Sequence, residues 1–540
     1  MADGIRNVLF IMCDQLRWDY LSSYGHPSLE TPNLDALAAR GVRFTRAYCQ
    51  APVCVSSRMS FHTGRYMSSH GSTWNNVPMR VGERTLGDYL RPLGVRTALV
   101  GKTHMYADKE GMAWLGIDPA SETGRLVAEC GYEPYERDDG LHPEGPDGRY
   151  TTPPPGYDDY MHAQGFDGDN TWQDWANSAE GDDGELLSGF FMRHATRPAR
   201  VPAEHSETPY MTRRAMAFIE EAGDQPWCLH LSYIKPHWPY IVPAPYHAMY
   251  GAEDVLPAVR SEDERRDPHP IYGAFMDMRV CQAFSRDEVR AAVIPAYMGL
   301  VKQIDDQIGV LMRFLEEKGL VDDTMIVFTA DHGDYLGDHW LGEKDLFHDC
   351  VAKLPLIVVD PRGAADATRG TASEALVEAI DLVPTFLEAY GGPPQTHRLE
   401  GRSLAPLLNG ERPADWRRYV ISESDYCFLP ARKALGVPVS QARMTMVATE
   451  RWKYVHAEGF RPMLYDLVED PDALHDLGAD NAHEGIRRDL ADMHFEWARR
   501  LHARVTLSDE QIAAMGGKVT RQGILIGFWD ESELPPELRG

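Results

Sequence analysis

Cys54-Val55-Ser56-Ser57-Arg58 sets a cysteine just ahead of a short helix-like run, with a guanidinium one helical turn further on. A helix N-terminus and a neighbouring cation both favour negative charge, so the pentapeptide reads as an activated thiol. Two further groups of residues have the right types to work with it. Asp14-Gln15 and Asp331-His332 each follow an apolar run, and together they make an oxygen-rich divalent-cation site with one imidazole. Either Asp alone would be read as an ordinary helix cap; two of them beside the cysteine motif are a ligand set. The other group is cationic: Arg58, Lys102, His104, His237 and Lys344. In Gly101-Lys102-Thr103-His104 an extended chain would point Lys102 and His104 the same way. Lys235-Pro236-His237-Trp238-Pro239 is a stiff loop that holds one imidazole in place, and Lys344 lies on the loop after Asp331-His332. A lone Lys or His is ordinarily solvated or a satisfied core residue. Gathered with a divalent ion, these cations suit the charge that develops on a sulfuryl or phosphoryl group during transfer.

Positioning such residues needs strands that deliver them to one face. Asn7 to Cys13 is an apolar run that reads as a buried strand ending at Asp14. Thr31-Pro32-Asn33 opens a helix closed by Gly41, Val42 to Tyr48 reads as a strand, and Thr85 to Leu93 as a helix. Val95 to Val100 predicts a strand ahead of Lys102, and Tyr210 to Ala222 a helix before a strand at Trp227 to Tyr233. A long helix falls within Glu288 to Lys318, a strand at Thr324 to Ala330 delivers Asp331, and Leu354 to Val359 and Ile380 to Tyr390 give one more strand and helix. This alternation predicts an α/β fold: a large, mainly parallel sheet flanked by helices, with ligands at the carboxyl ends of its strands. Asp14, Lys102, His104, Asp331 and His332 all lie just past such ends.

The catalytic α/β domain is expected over residues 1–398. A Gly-, Pro- and Asp-dense stretch at about 107–206 reads as a long, mostly irregular insertion over the active face. From Leu399 onward, short strand candidates at Tyr419–Ser424, Met444–Thr449, Trp452–His456 and Met463–Leu467 predict a smaller antiparallel sheet in a domain over 399–505, followed by an amphipathic helix from Glu484 to Val505. In the tail, 506–540, Ile524, Leu525, Ile526, Phe528 and Trp529 are too apolar for a free end and are expected to dock on the core or another subunit.

With 43% hydrophobic and 10% aromatic residues the chain is globular in composition. A formal net charge of -28 argues against a general nucleic-acid or anionic-membrane binder, while leaving room for a local cationic pocket. No basic leader precedes an apolar run and no segment has the roughly 20 apolar residues of a membrane span. The eight cysteines are scattered without CxxC pairs, which reads as reduced thiols and a cytoplasmic location.

Cys54 to Arg58 also resembles the sulfatase signature, Cys-x-Pro/Ala-Ser-Arg, with Ser56 at the Pro/Ala position. Thr31-Pro32-Asn33-Leu34-Asp35, Thr63-Gly64-Arg65-Tyr66, Gly101-Lys102-Thr103-His104, Ala330-Asp331-His332-Gly333 and Leu464-Tyr465-Asp466-Leu467 extend the likeness from residue 7 to about 480. The chain thus resembles a sulfatase of the alkaline phosphatase superfamily. Asp14-Gln15, Asp331-His332 and Gly337-Asp338-His339 are similar to its subgroup of phosphonate monoester hydrolases and related dimeric or tetrameric arylsulfatases. Gln15 and His332 stand where many sulfatases have Asp and Asn.

That resemblance implies oxidation of Cys54 to formylglycine by a formylglycine-generating enzyme, a transient partner. It implies one divalent metal on Asp14, Gln15, Cys54, Asp331 and His332, with calcium or manganese favoured and zinc a third fit. The hydrated aldehyde attacks sulfur, supported by Arg58; Lys102 and Lys344 clamp the non-bridging oxygens; His237 assists the leaving oxygen; His104 takes the proton that lets sulfate depart. Asn75 adds a neutral donor, and Tyr106 lines an aryl pocket. The implied substrate is a small anionic ester, a sulfate monoester, and the implied assembly a homodimer or homotetramer. A phosphonate monoester or phosphodiester hydrolase uses the same machinery, with Lys102 and His104 favouring sulfate. A non-catalytic ligand-binding protein would keep the metal site with Cys54 unmodified.

Overall fold

The computed structural model describes residues 5–140, 156–501, 504–515 and 527–536. Its largest sheet has nine strands. In chain order these are β1 (Asn7–Asp14), β2 (Val42–Tyr48), β3 (Arg96–Gly101), β4 (Glu133–Arg137), β5 (Trp227–Pro236), β6 (Thr324–Ala330), β7 (Lys353–Val359), β8 (Thr371–Ser373) and β9 (Val377–Glu378). Across the sheet they run β8-β2-β7-β6-β1-β5-β3-β4, with β9 also on β2. β1 is parallel to β6 and β5, and β3 is parallel to β5 and β4. Only β7 runs against its neighbours, β6 and β2. β1, β5 and β6 are buried along their whole length, which is why they read as continuous apolar runs without a polar face.

Helices cover this sheet. α4 (Asp287–Glu317) packs with α1 (Pro32–Arg40) and α3 (Glu207–Ala222). α2 (Cys54–Thr63) packs with α5 (Leu382–Ala389), and Phe61 of α2 and Phe386 of α5 both meet Phe10 of β1 at ring-centroid distances of 6.0 and 5.6 Å. α2 is buried on every side, so its sequence shows no amphipathic stripe.

The central strand order β6-β1-β5-β3 sets four parallel carboxyl ends side by side. Register makes the alignment close: Cys13 pairs with Ala330, Asp14 with Pro236, and Gly101 with Ser232. The residues that follow these positions are Asp331, His237 and Lys102, so residues more than 300 positions apart share one edge of the sheet.

The second sheet is antiparallel and built in sequence order: β10 (Val420–Asp425), β11 (Arg443–Ala448), β12 (Trp452–Ala457) and β13 (Met463–Asp466). α6 (Glu484–Arg500) covers it, ending before Val505. Gln50 joins the two sheets: Glu423 N donates to its carbonyl at 2.8 Å, and its Nε2 donates to the Ile421 carbonyl at 3.3 Å.

Among its described residues, the stretch from 107 to 206 is irregular chain interrupted by short elements. It holds helices at Lys109–Trp114, Glu122–Ala128 and Gly156–Ala163, the edge strand β4, and three short strands of a further small sheet. Elements this short carry too few residues for a period to show against dense Gly and Pro. In the tail, Ile524 to Ile526 lie outside the described residues, while Trp529 stands 89% exposed, which leaves another subunit, and not the core of its own chain, as its expected dock.

Candidate active site

Cys54 is the first residue of α2, and its Sγ is the point where the strand-end side chains converge. Lys344 Nζ lies 3.0 Å away, His332 Nε2 3.2 Å and Asp14 Oδ1 3.7 Å. Ligand atoms of Asp14, Cys54, Asp331 and His332 all lie within 4.8 Å of one another and are fully buried. Gln15 joins the group through Lys344, whose ammonium also donates to Gln15 Oε1 at 3.1 Å.

The donor set fits a divalent cation. Two carboxylates, an amide oxygen and one imidazole are hard or borderline ligands, and Cys54 Sγ lies among them. The imidazole is held in a ligand form. His332 Nδ1 donates to the Gly333 carbonyl at 2.9 Å, leaving the Nε2 lone pair on the Cys54 side. Burial, with help from Lys344 and against Asp331, lowers its pKa and keeps the ring neutral.

Arg58 organises the carboxylates. Its Nε donates to Asp331 Oδ2 at 2.8 Å and its Nη2 to Asp14 Oδ2 at 3.2 Å, while Nη1 is taken by the Lys102 carbonyl and Ser232 Oγ. Lys102 Nζ is 2.5 Å from Asp14 Oδ2. Burial alone would raise the Asp14 carboxyl; Lys102 and Arg58 outweigh it and hold it well below the ordinary carboxylate range. Asp331 is steadied by the backbone amides of Gln15 and His332, at 3.0 and 2.9 Å, and Ser57 Oγ ties α2 to the Asp331 carbonyl at 2.5 Å.

The activated-thiol expectation fails. Burial pushes the Cys54 thiol up to about 11, with Asp14 adding to the effect and Lys344 and Lys102 opposing it. Arg58 spends its donors on two carboxylates, one carbonyl and one hydroxyl, so the residue one turn along does not serve the sulfur. A protonated thiol is a poor nucleophile at neutral pH.

Lys344 keeps its charge: burial would lower its pKa, but Cys54, Glu343 and Asp14 raise it above the usual lysine value. His237 is held neutral chiefly by burial, with Lys344 and Lys102 also depressing it. Its Nδ1 donates to the Trp238 carbonyl at 2.7 Å, so Nε2 is the acceptor that faces Lys344 Nζ at 3.4 Å. His104 and Tyr106 are half-buried at the rim, ring centroids 6.1 Å apart. The chain from Lys102 to His104 is not the extended backbone expected: His104 has φ 55° and its backbone amide donates to Asp139 Oδ1 at 3.1 Å. Asn75 Oδ1 accepts from Val55 N at 3.1 Å, which makes it a cap for α2.

The family profile for sulfatases matches residues 6–392. The chain belongs to the sulfatase family. A second profile, for the C-terminal region of N-sulphoglucosamine sulphohydrolase, matches residues 337–499. Among relatives of this sulfatase-family chain, the multifunctional alkaline phosphatase superfamily protein PehA of Trinickia caryophylli is 31% identical over 95% of this chain and 98% of its own. An arylsulfatase of Clostridium perfringens is 27% identical over 78% and 82%. The structure of a phosphonate monoester hydrolase from Silicibacter pomeroyi superposes with a TM-score of 0.80 at 28% identity, covering 94% of this chain and 98% of that one. Membership supports a hydrolase activity.

Several residues that shape this sulfatase-family site escaped sequence reasoning. Ser232 lies inside β5, Tyr240 in the loop after it, and Asp334 two residues past His332. Asp334 had a visible signal, a second acid in Asp331-His332-Gly333-Asp334, whereas Ser232 and Tyr240 had none. A second group of ligand-type residues, Glu264, His339 and His348, is satisfied internally. His339 Nδ1 meets Glu264 Oε1 at 2.7 Å, His348 Nδ1 meets Tyr335 OH at 2.9 Å, and the two rings stack at 3.6 Å.

Proposed function

We propose that the protein hydrolyses sulfate monoesters, with formylglycine made from Cys54 as the nucleophile and one divalent cation, calcium or manganese, held by Asp14, Gln15, Asp331, His332 and the modified Cys54. The observation that carries this reading is the convergence on Cys54 Sγ of Lys344 Nζ, His332 Nε2 and Asp14 Oδ1, at 3.0, 3.2 and 3.7 Å. When bound, the cation supplies charge for an ester oxygen and favours the ionised nucleophile.

The chain's own residues do the rest. Arg58 holds both carboxylates against their mutual repulsion. Lys102 and Lys344 bind the non-bridging oxygens of the ester, Lys102 turning from Asp14 once a cation neutralises that carboxylate. His237, with Nε2 beside Lys344 Nζ, assists the leaving oxygen. His104 at the rim accepts the proton of the second hydroxyl of the hydrate, so that the aldehyde re-forms and sulfate is expelled. Asn75 holds the start of α2 in place, and Tyr106 lines the approach of an aryl group. A formylglycine-generating enzyme is the transient partner this chemistry requires, and a homodimer or homotetramer the assembly.

A second reading, phosphonate monoester hydrolysis, is favoured by the likeness over 94% of the chain to the Silicibacter hydrolase and by the neutral ligand Gln15. Protein expressed with the modifying enzyme should lose about 18 Da at the Cys54 peptide. An aryl sulfate and an aryl phosphonate are then compared on the same sample. A faster rate on the sulfate supports the first reading and a faster rate on the phosphonate the second. Undiminished turnover by Cys54→Ala would overturn both.

A further inference from the structure

Gln15 is the amide of the cation-binding group, and it is oriented from behind. The residue sits at the end of β1 with φ 64°, fully buried. Its backbone is clamped: N donates to Asp331 Oδ1 at 3.0 Å and O accepts from Tyr297 OH at 2.8 Å. On the side chain, Nε2 donates to Asp334 Oδ2 at 2.5 Å, with Tyr240 OH 3.4 Å away, while Oε1 accepts from Lys344 at 3.1 Å. Asp334 is itself locked. Tyr240 OH donates to the same Oδ2 at 2.6 Å, and Leu336 N donates to Oδ1 at 3.0 Å.

The consequence is directional. A carboxylate that already receives a phenol and a backbone amide can face only the nitrogen of the Gln15 amide, so the oxygen must face Cys54 and Lys344. The same charge-assisted bond draws electron density toward Oε1 and makes it a stronger ligand. A carboxylate at position 15 would place two anions in contact at 2.5 Å spacing, so an amide suits position 15 when Asp334 lies behind it.

We propose that Asp334, braced by Tyr240, is a positioning residue that presents and polarises Gln15 Oε1 toward the cation, and so sets the affinity of the site for a divalent metal. The proposal rests on the metal reading given under Proposed function. An asparagine at 334 keeps the shape but offers one oxygen to three donors: Gln15 Nε2, Tyr240 OH and Leu336 N.

The test is calorimetric titration of the metal-stripped full chain with Mn2+, and separately with Ca2+, alongside thermal unfolding of the stripped proteins. Asp334→Asn should weaken Mn2+ binding by about 10- to 100-fold, and Tyr240→Phe by less than about 10-fold. Gln15→Glu should weaken binding alone yet strengthen it when added to Asp334→Asn, because the new carboxylate then faces no second anion. Affinity within about twofold of wild type for both Asp334→Asn and Tyr240→Phe, or a Gln15→Glu effect identical in the two backgrounds, overturns the proposal while leaving the metal site standing. Should Asp334→Asn fail to fold, Tyr240→Phe decides alone: unchanged affinity overturns the proposal. A wild-type chain that binds neither ion removes the metal reading and this proposal with it.

Discussion

The two sides of Cys54 are built on different principles. On the strand-end side, Asp14, Arg58, Asp331 and His332 are fully buried, and each holds at least one other in place through a direct hydrogen bond or ion pair. At the rim, Asn75, His104 and Tyr106 are half-buried on loops, and His104 takes a left-handed backbone. The first side trades hydration for charge pairing; the second keeps contact with solvent. Fixed charge is kept on the buried side, while side chains on the loops can change without disturbing the sheet.

The difference can be broken at its strongest point by Arg58→Met. Removing one guanidinium leaves Asp14 and Asp331 buried and facing each other, at a cost of about 3–5 kcal/mol. Denaturant unfolding of the metal-free protein should show this loss, and a metal titration should recover part of it. A change under about 1 kcal/mol would mean that the carboxylates do not depend on Arg58.

The rim should tolerate much more. Asn75→Ala removes the acceptor for Val55 N and should cost about 0.5–2 kcal/mol of stability, the value of a helix cap. Because the cap holds the first turn of α2, kcat on an aryl sulfate should fall as well as KM rise. A pure KM effect with unchanged stability would return Asn75 to the substrate-binding role expected of it.

The smallest change sharpens the contrast within α2 itself. Ser56 Oγ is buried without a hydrogen-bond partner, so Ser56→Ala should stabilise the protein by about 1 kcal/mol, read as a rise in Tm. A fall in Tm would show that the hydroxyl is satisfied by water.

Much of this was legible along the chain. The strand spanning Thr324–Ala330 was readable to the residue as an apolar run with acids on both sides, and the strand spanning Val42–Tyr48 from its alternation of Val42 and Phe44 with Arg43 and Thr45 after Gly41. Likewise α4 was readable within one residue at each end, from a 31-residue helical pattern ended near Gly319. The strand β4 was not, since Glu133-Pro134-Tyr135-Glu136-Arg137 has a proline and three charges and is held only as an edge of a sheet made elsewhere. The same limit applied at the site. Asp14, Cys54, Asp331 and His332 announced themselves by position, but Asp334, Tyr240 and Ser232 matter through hydrogen bonds to residues distant in sequence.

Residue types, the order of strands and helices, and the motif around Cys54 were determined by the sequence itself, because helix and strand periods, caps and turn residues act over a few positions. The protonation of Cys54 and of Asp14, the partner chosen by Arg58, and the way the Gln15 amide faces were decided only by the fold. These depend on burial and on charges brought within about 4 Å from up to hundreds of residues away, and at that distance in a low-dielectric interior each neighbour counts for more than any local preference.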